Sequence, residues 1–283
     1  MTEALIALGL PFLACVLMTA ILAYLGLHVL KREVIFIDIA VAQVAALGAM
    51  AAHMGFHVHA DSALASACAF GATLVAALFF AVVRRRVERL PIEATIGITY
   101  ALVAATALFM IGKCTGGHTH VQHMLTGSLL WVNRQGIAWA AAAFAAAGIF
   151  FYLCRRPFQR ISDDYLGSAD TGVNVIAWDF LFYALCGIVI TAAVQLAGVV
   201  VVFCFLVIPA TVSALFSSRW HIRLVIAWIT GITASVLGLA FSRIGDFSAG
   251  VSVALLLGLI LVMASAAQAG RTLLRTTTND PGD

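Results

Sequence analysis

The chain is poor in charge: only 10% of its 283 residues are Asp, Glu, Lys or Arg, against roughly 25% in an average soluble domain. It has five prolines and no long polar or low-complexity stretch that would mark a linker or a disordered region. It has no basic run of the kind that binds nucleic acid. It has no GxxxxGK[ST] phosphate loop, since Gly112-Lys113 is followed by Cys114 and lacks the upstream glycine. HExxH and GxSxG are also absent from the sequence. Its six cysteines, at 15, 68, 114, 154, 186 and 204, form no CxxC pair and suggest no disulfide framework. These absences exclude a disordered protein, a nucleic-acid binder and an ordinary cytosolic enzyme.

What is present is apolar. Hydrophobic residues make up 63% of the chain, and the mean hydropathy is +1.06. A soluble globule cannot hide that much apolar surface, so the expected solvent is lipid. A membrane helix needs about 20 mostly apolar residues. Nine blocks meet that need, near 5–30, 35–54, 62–83, 94–112, 136–153, 175–196, 198–216, 222–241 and 248–268. Only Ala197 and Gly198 separate the sixth block from the seventh, so eight or nine spans are open. The runs are continuous and Ala/Leu/Val-rich, which disfavours the alternating strands of a barrel. The expected fold class is all-α, a polytopic membrane helix bundle with 8–9 transmembrane helices. The N-terminal run carries Glu3 and no basic segment, and it continues to Leu30. It reads as the first span rather than a cleaved signal.

The basic residues orient the bundle. One set of alternate loops holds Lys31, Arg32, Arg84, Arg85, Arg86, Arg89, Arg155, Arg156, Arg160, Arg219, Arg223, Arg271 and Arg275. The other set holds only Lys113, Arg134 and Arg243. Lys and Arg mark the cytoplasmic side. Nine spans then put the N-terminus outside and the C-terminus inside. Residues 1–270 are expected to form a single transmembrane domain, and 271–283 a cytoplasmic polar tail. The longest inner loop includes a segment at 155–174, a candidate docking helix for a cytosolic partner.

Six of the eight histidines fall in two outer loops. His53, His57 and His59 precede Asp61, and His118, His120 and His123 follow Cys114. Imidazole is a ligand for zinc and related metals. The two clusters are candidates for metal capture, and solvated loop positions are the alternative. Within the spans, Asp38 and Gln43 are polar residues of the second block, about 140° apart on a helix. Asp38 is either a contributor to a transport path or a helix-start carboxylate at the inner boundary. Glu93, after Pro91, reads as a helix-start carboxylate favoured by the dipole. Asp179 lies near the inner end of the sixth block and is expected to reach water, as is Asp246 in an outer turn. Gly48, Gly71, Gly97, Gly148, Gly187, Gly231 and Gly238 suit close helix packing.

Six stretches, in order, carry a resemblance. They are Leu30-Lys31-Arg32 with IFIDIAVAQVAALG (35–48), RLPIEATIGITY (89–100), HMLTGSLLWV (123–132), DYLGSADTGVN (164–174), GVVVVFCFLVIPATVSALFS (198–217) and RIGDFSAGVSVAL (243–255). Together they resemble the permease subunit of the zinc/manganese/iron group of ABC importers. The resemblance implies a multi-pass protein of the bacterial inner membrane without an ATPase site or catalytic residues of its own. It also implies a second permease copy in a homodimer, a cytosolic ATPase that binds ATP and docks through 155–174, and an extracytoplasmic metal-binding protein. The transported ion is then a divalent metal, and the outer histidines favour zinc over manganese or iron. The family's second span often reads Asp-x-x-x-His. Aligned on Gly48, Gln43 takes the place of that histidine and Ile39 that of the aspartate, with Asp38 one residue away. The intramembrane site is therefore expected to be rebuilt here, with more selection at the outer histidines or a different cargo such as a chelated metal. The competing classes are a stand-alone secondary carrier or exporter, which needs paired ionisable residues at mid-membrane, and an intramembrane zinc enzyme.

Overall fold

A computed structural model describes residues 2–56, 62–87, 90–111, 129, 133–170 and 174–278. Eleven α-helices run through them: α1 (Thr2–Lys31), α2 (Ile37–Phe56), α3 (Ala63–Arg86), α4 (Ile92–Ile111), α5 (Arg134–Leu153), α6 (Arg155–Asp163), α7 (Tyr165–Asp170), α8 (Val175–Ala197), α9 (Val199–Phe216), α10 (Trp220–Gly245) and α11 (Ala249–Thr278). All except α6 and α7 are long and apolar enough to cross a membrane, giving nine candidate spans among the described residues. Helices suit this solvent because each satisfies its own backbone polar groups.

Gly198 decides between eight and nine. Its φ of 82° is a conformation that side-chain-bearing residues rarely adopt, and it divides α8 from α9 at a single residue. Two full spans follow from one glycine.

Several helices outrun their expected spans. Arg84, Arg85 and Arg86 form the last turn of α3 rather than a loop, and α11 continues to Thr278. Arginines are favourable at a helix C-terminus, and their long stems let the charge reach water while the helix continues.

α8 lies at the centre, with 67% of its span buried, whereas α4 lies at the rim with 11%. α8 packs against α2, α3 and α5, while α1 packs against α9 and α10, and α11 closes on α9 and α10. Small residues set the closest approaches. Gly26 of α1 faces the Leu206 carbonyl of α9 with no room for a Cβ. Gly48, Gly187, Gly231 and Gly238 likewise face neighbouring helices at contact distance. Gly71 and Gly97 do not: nothing lies within 4 Å of a Cβ at either, so the close packing expected of them is not found.

Candidate functional site

The inner end of the bundle is built by helix ends that lie far apart in the chain. α1 closes on Glu33, which takes φ 56°, and Val34 N–H donates back to Val29 O at 3.1 Å. This turn drives Arg32 into the protein, where it is 2% exposed. Arg32 Nη1 lies 2.5 Å from Asp179 Oδ1 on α8, and both side chains are fully buried. Arg32 Nε donates to Ser162 Oγ of α6 at 2.8 Å, and the same hydroxyl lies 2.9 Å from His28 Nδ1 of α1. The guanidinium also sits 4.1 Å over the Phe182 ring. Burial lowers the pKa of Arg32, and the Asp179 carboxylate opposes that shift.

Arg84 at the end of α3 completes the cluster. Its Nε is 3.9 Å from Asp179 Oδ2, and its Nη1 donates to Tyr183 Oη at 3.3 Å. Its guanidinium covers the Tyr165 ring of α7 at 4.3 Å. A more exposed pair lies beside it: Lys31 bonds Asp163, and Trp220 Nε1 of α10 donates to the other oxygen of Asp163 at 3.0 Å. Five helices that cross or flank the membrane boundary (α1, α3, α6, α8 and α10) are thereby fastened at one end. The expectation that Asp179 could reach water is corrected: it is 0% exposed, with Oδ1 bonded to Arg32 and Oδ2 without a hydrogen-bond partner among the described residues, 3.9 Å from the Arg84 guanidinium.

α6 and α7 occupy part of the expected docking segment. α6 is amphipathic, burying Phe158, Ile161 and Ser162 and exposing Arg155, Arg156 and Arg160. Asp164 caps α7 by accepting from Gly167 N–H at 2.9 Å.

The candidate metal ligands distribute unevenly. Asp38 is in the first turn of α2 and is 1% exposed. No side chain among the described residues bonds either carboxylate oxygen, and the nearby donors are the backbone N–H groups at the start of its own helix. It lies close enough to Cys186 of α8 and Cys204 of α9 for its charge to act on both thiols. One turn further on, Val41 packs at Gly187. Cys186 is about 16 Å along α8 from its inner end, at 1.5 Å per residue. Asp38 therefore sits deep in the bundle, not at the inner boundary. The cause is the turn at Glu33, which sinks the start of α2, with Phe36 stacked on Phe203 of α9 at 6.1 Å.

Gln43 is half-buried and, by helical geometry, on a different face of α2 from Asp38. His53 is exposed near the outer end of α2. His57, His59, Asp61, His118, His120 and His123 lie outside the described residues. Among the described residues, no group of three His, Cys, Asp or Glu side chains gathers to hold a metal. Glu93 is in the first turn of α4, and Asp246 is exposed at the C-cap of α10.

Sequence reasoning singled out Asp179 but missed its partners. The available signal was a lone carboxylate near the inner end of one span, with basic residues at the inner ends of two others. His28 and Ser162 gave no such signal.

Ionisable residues held inside a membrane bundle, as Asp38 is among these nine candidate spans of the described residues, tend to mark substrate and ion paths. The sequence matches the ABC 3 transport family over residues 7–268, and the chain belongs to that family. It is a multi-pass protein of the bacterial inner membrane. It is 25% identical over 177 residues to the manganese transport system membrane protein MntC of Halalkalibacterium halodurans, covering 62% of this chain and 61% of that protein. It is 25% identical over 174 residues to the manganese import system permease protein ScaB of Streptococcus parasanguinis, covering 62% and 59%. The chain thus aligns with about 60% of the length of these relatives. In fold it is similar to PsaBC from Streptococcus pneumoniae, solved in complex with Fab, with a TM-score of 0.73, 19% identity and coverage of 91% and 90%.

Proposed function

We propose that this chain is the membrane-spanning permease subunit of an ATP-binding-cassette importer for a divalent transition metal. The observation that carries the reading is Asp38, a buried carboxylate with no side-chain partner among the described residues, inside a chain of the ABC 3 transport family. An isolated buried carboxylate is costly. A cation passing through the bundle offsets that cost for as long as it is bound.

The remaining parts follow from this reading. A separate cytosolic subunit hydrolyses ATP and docks on the segment 155–174, where α6 presents the exposed Arg155, Arg156 and Arg160. Arg32, Asp179 and Ser162 tie that segment to α1 and α8, so a push on α6 reaches the helix that leads into Asp38. A second copy of the chain completes the transmembrane path, and an extracytoplasmic binding protein delivers the metal.

Manganese is the favoured cargo. The carboxylate of Asp38 is an oxygen donor, which suits manganese better than zinc. The manganese proteins named above are relatives in the same family. Zinc is the second reading, favoured by His53, His57, His59, His118, His120 and His123 in the outer segments.

The test is elemental analysis of cells under chelator-limited growth, in a strain lacking the chain and in strains restored with the wild type or Asp38→Asn. One metal falls on deletion and recovers with the wild type. Asp38→Asn leaves uptake at least about tenfold lower, although the protein is made and folded. A rise in metal on deletion would mean export. Full recovery with Asp38→Asn would remove Asp38 from the path.

A further inference from the structure

A groove opens on the side of the bundle, between α1, α5, α6 and α10. It encloses about 510 Å³. Its depth is lined by Ile21, Leu27, Gly148 and Trp228, and its inner mouth by Arg155 and His221. Trp220 and Trp228 both wall it and are eight residues apart on α10, about 12 Å along the axis. Half of a bilayer's hydrocarbon core is about 15 Å. The groove therefore runs along most of one leaflet, and the basic loops place it in the cytoplasmic one.

The groove is held open rather than left over. Trp228 Nε1 donates to Ala20 O of α1 at 3.1 Å, and Trp220 Nε1 is fixed by Asp163. Gly148 leaves its wall without a side chain: a Cβ there would meet only Ile21, at 3.7 Å.

The mouth is an anion site. Arg155 is exposed, forms no ion pair among the described residues, and lies 4.9 Å over the Tyr152 ring. His221 is exposed in the first turn of α10. Arg155 opens α6 and His221 lies in the first turn of α10, so the two basic side chains of the mouth come from different helices. The nearest carboxylate on these elements, Asp163, is already bonded to Lys31 and Trp220. Tyr24, a half-buried residue lining the groove, has its Oη shielded from solvent and without a hydrogen-bond partner among the described residues.

We infer that this groove binds an anionic phospholipid of the cytoplasmic leaflet, its phosphate at Arg155 and His221 and one acyl chain between Trp220, Trp228 and Gly148. Charge complementarity selects this occupant over a second copy of the chain. Two copies related by an axis along the membrane normal would bring the same positive mouth to the same depth on each side. A phosphate instead meets a guanidinium and an imidazole, at the place where a basic cytoplasmic-side pocket meets lipid headgroups. The site borders α6, so an occupied groove also braces the segment proposed to meet the ATPase.

The experiment is tryptophan quenching. The full-length chain, with Trp139 replaced by Phe to lower the background, is reconstituted in phosphatidylcholine vesicles. These contain increasing fractions of phosphatidylglycerol brominated in its acyl chains. A parallel series uses brominated phosphatidylcholine. Half-maximal quenching is expected at a mole fraction about fivefold lower for the anionic lipid, and Arg155→Gln abolishes that preference. High salt weakens it. Arg85→Gln, an exposed arginine at the end of α3, leaves it unchanged. Gly148→Leu fills the groove without altering charge, and it removes the saturable quenching even if the Arg155 variant fails to insert. Equal quenching by both lipids, or an unchanged preference in Arg155→Gln, overturns the inference and leaves an unselective lipid annulus. Absence of quenching together with a disulfide between chains carrying Trp228→Cys would assign the groove to a second copy.

Discussion

Asp179 is the residue whose removal should damage the fold most for the smallest change. Its carboxylate and the Arg32 guanidinium are both fully buried, with 2.5 Å between Oδ1 and Nη1. Arg84 adds a second positive group 3.9 Å from Oδ2. Asp179→Leu keeps a similar volume but leaves two guanidinium groups facing each other without a counter-ion. Breaking a buried pair from one side costs about 3–5 kcal/mol, against a total stability of about 5–15 kcal/mol for a typical domain. A fall in apparent Tm on the order of 10 °C follows. Cys15 and Cys186 are free and buried, so a fluorogenic maleimide reports unfolding of the detergent-solubilised protein directly. The double variant Arg32→Met/Asp179→Leu is the sharper arm. Replacing a buried pair by apolar groups is often neutral or better, and Arg84 keeps its bond to Tyr183. The double variant should therefore melt above the single one, with a coupling of about 0.5–3 kcal/mol. Strict additivity of the two changes would refute the claim that Asp179 and Arg32 act as a pair.

Three further outcomes follow from contacts of different strength. Gly26→Leu drives a side chain into the Leu206 backbone; overpacking of this kind costs about 1–3 kcal/mol or more, and the yield of folded protein from membranes should fall. Gly71→Ala, with nothing within 4 Å, should leave that yield unchanged. Asp163→Asn removes a partly exposed ion pair with Lys31, so its melting temperature should shift by less than about 1 kcal/mol implies; a loss as large as that of Asp179→Leu would contradict the burial argument.

The spans were legible because hydropathy is local and additive. Each block of about 20 apolar residues carries its own free energy of transfer, wherever the others lie. The expected orientation rests on an equally local signal, since basic residues act at the loop that holds them. The six ordered stretches carried the family. The break at Gly198 was visible as an ambiguity, because glycine permits the φ of 82° without dictating it. Arg32 and Arg84 were read as loop charges. The structure buries both, because each finds Asp179 at a position that no local pattern connects to it.

The sequence by itself determined the solvent, the number of apolar blocks, the side on which most of the basic residues lie and the family. The tertiary structure decided which charge meets which. Arg32 and Asp179 are 147 positions apart, and only the placement of α1 against α8 makes them partners. It also set the depth of Asp38, through one left-handed residue at Glu33 and the packing of α2 on α8 and α9. The groove beside Trp228 has the same origin, with walls drawn from four helices. Insertion into lipid is a sum over single segments, whereas pairing and cavities are relations between segments, and these exist only once the helices have packed.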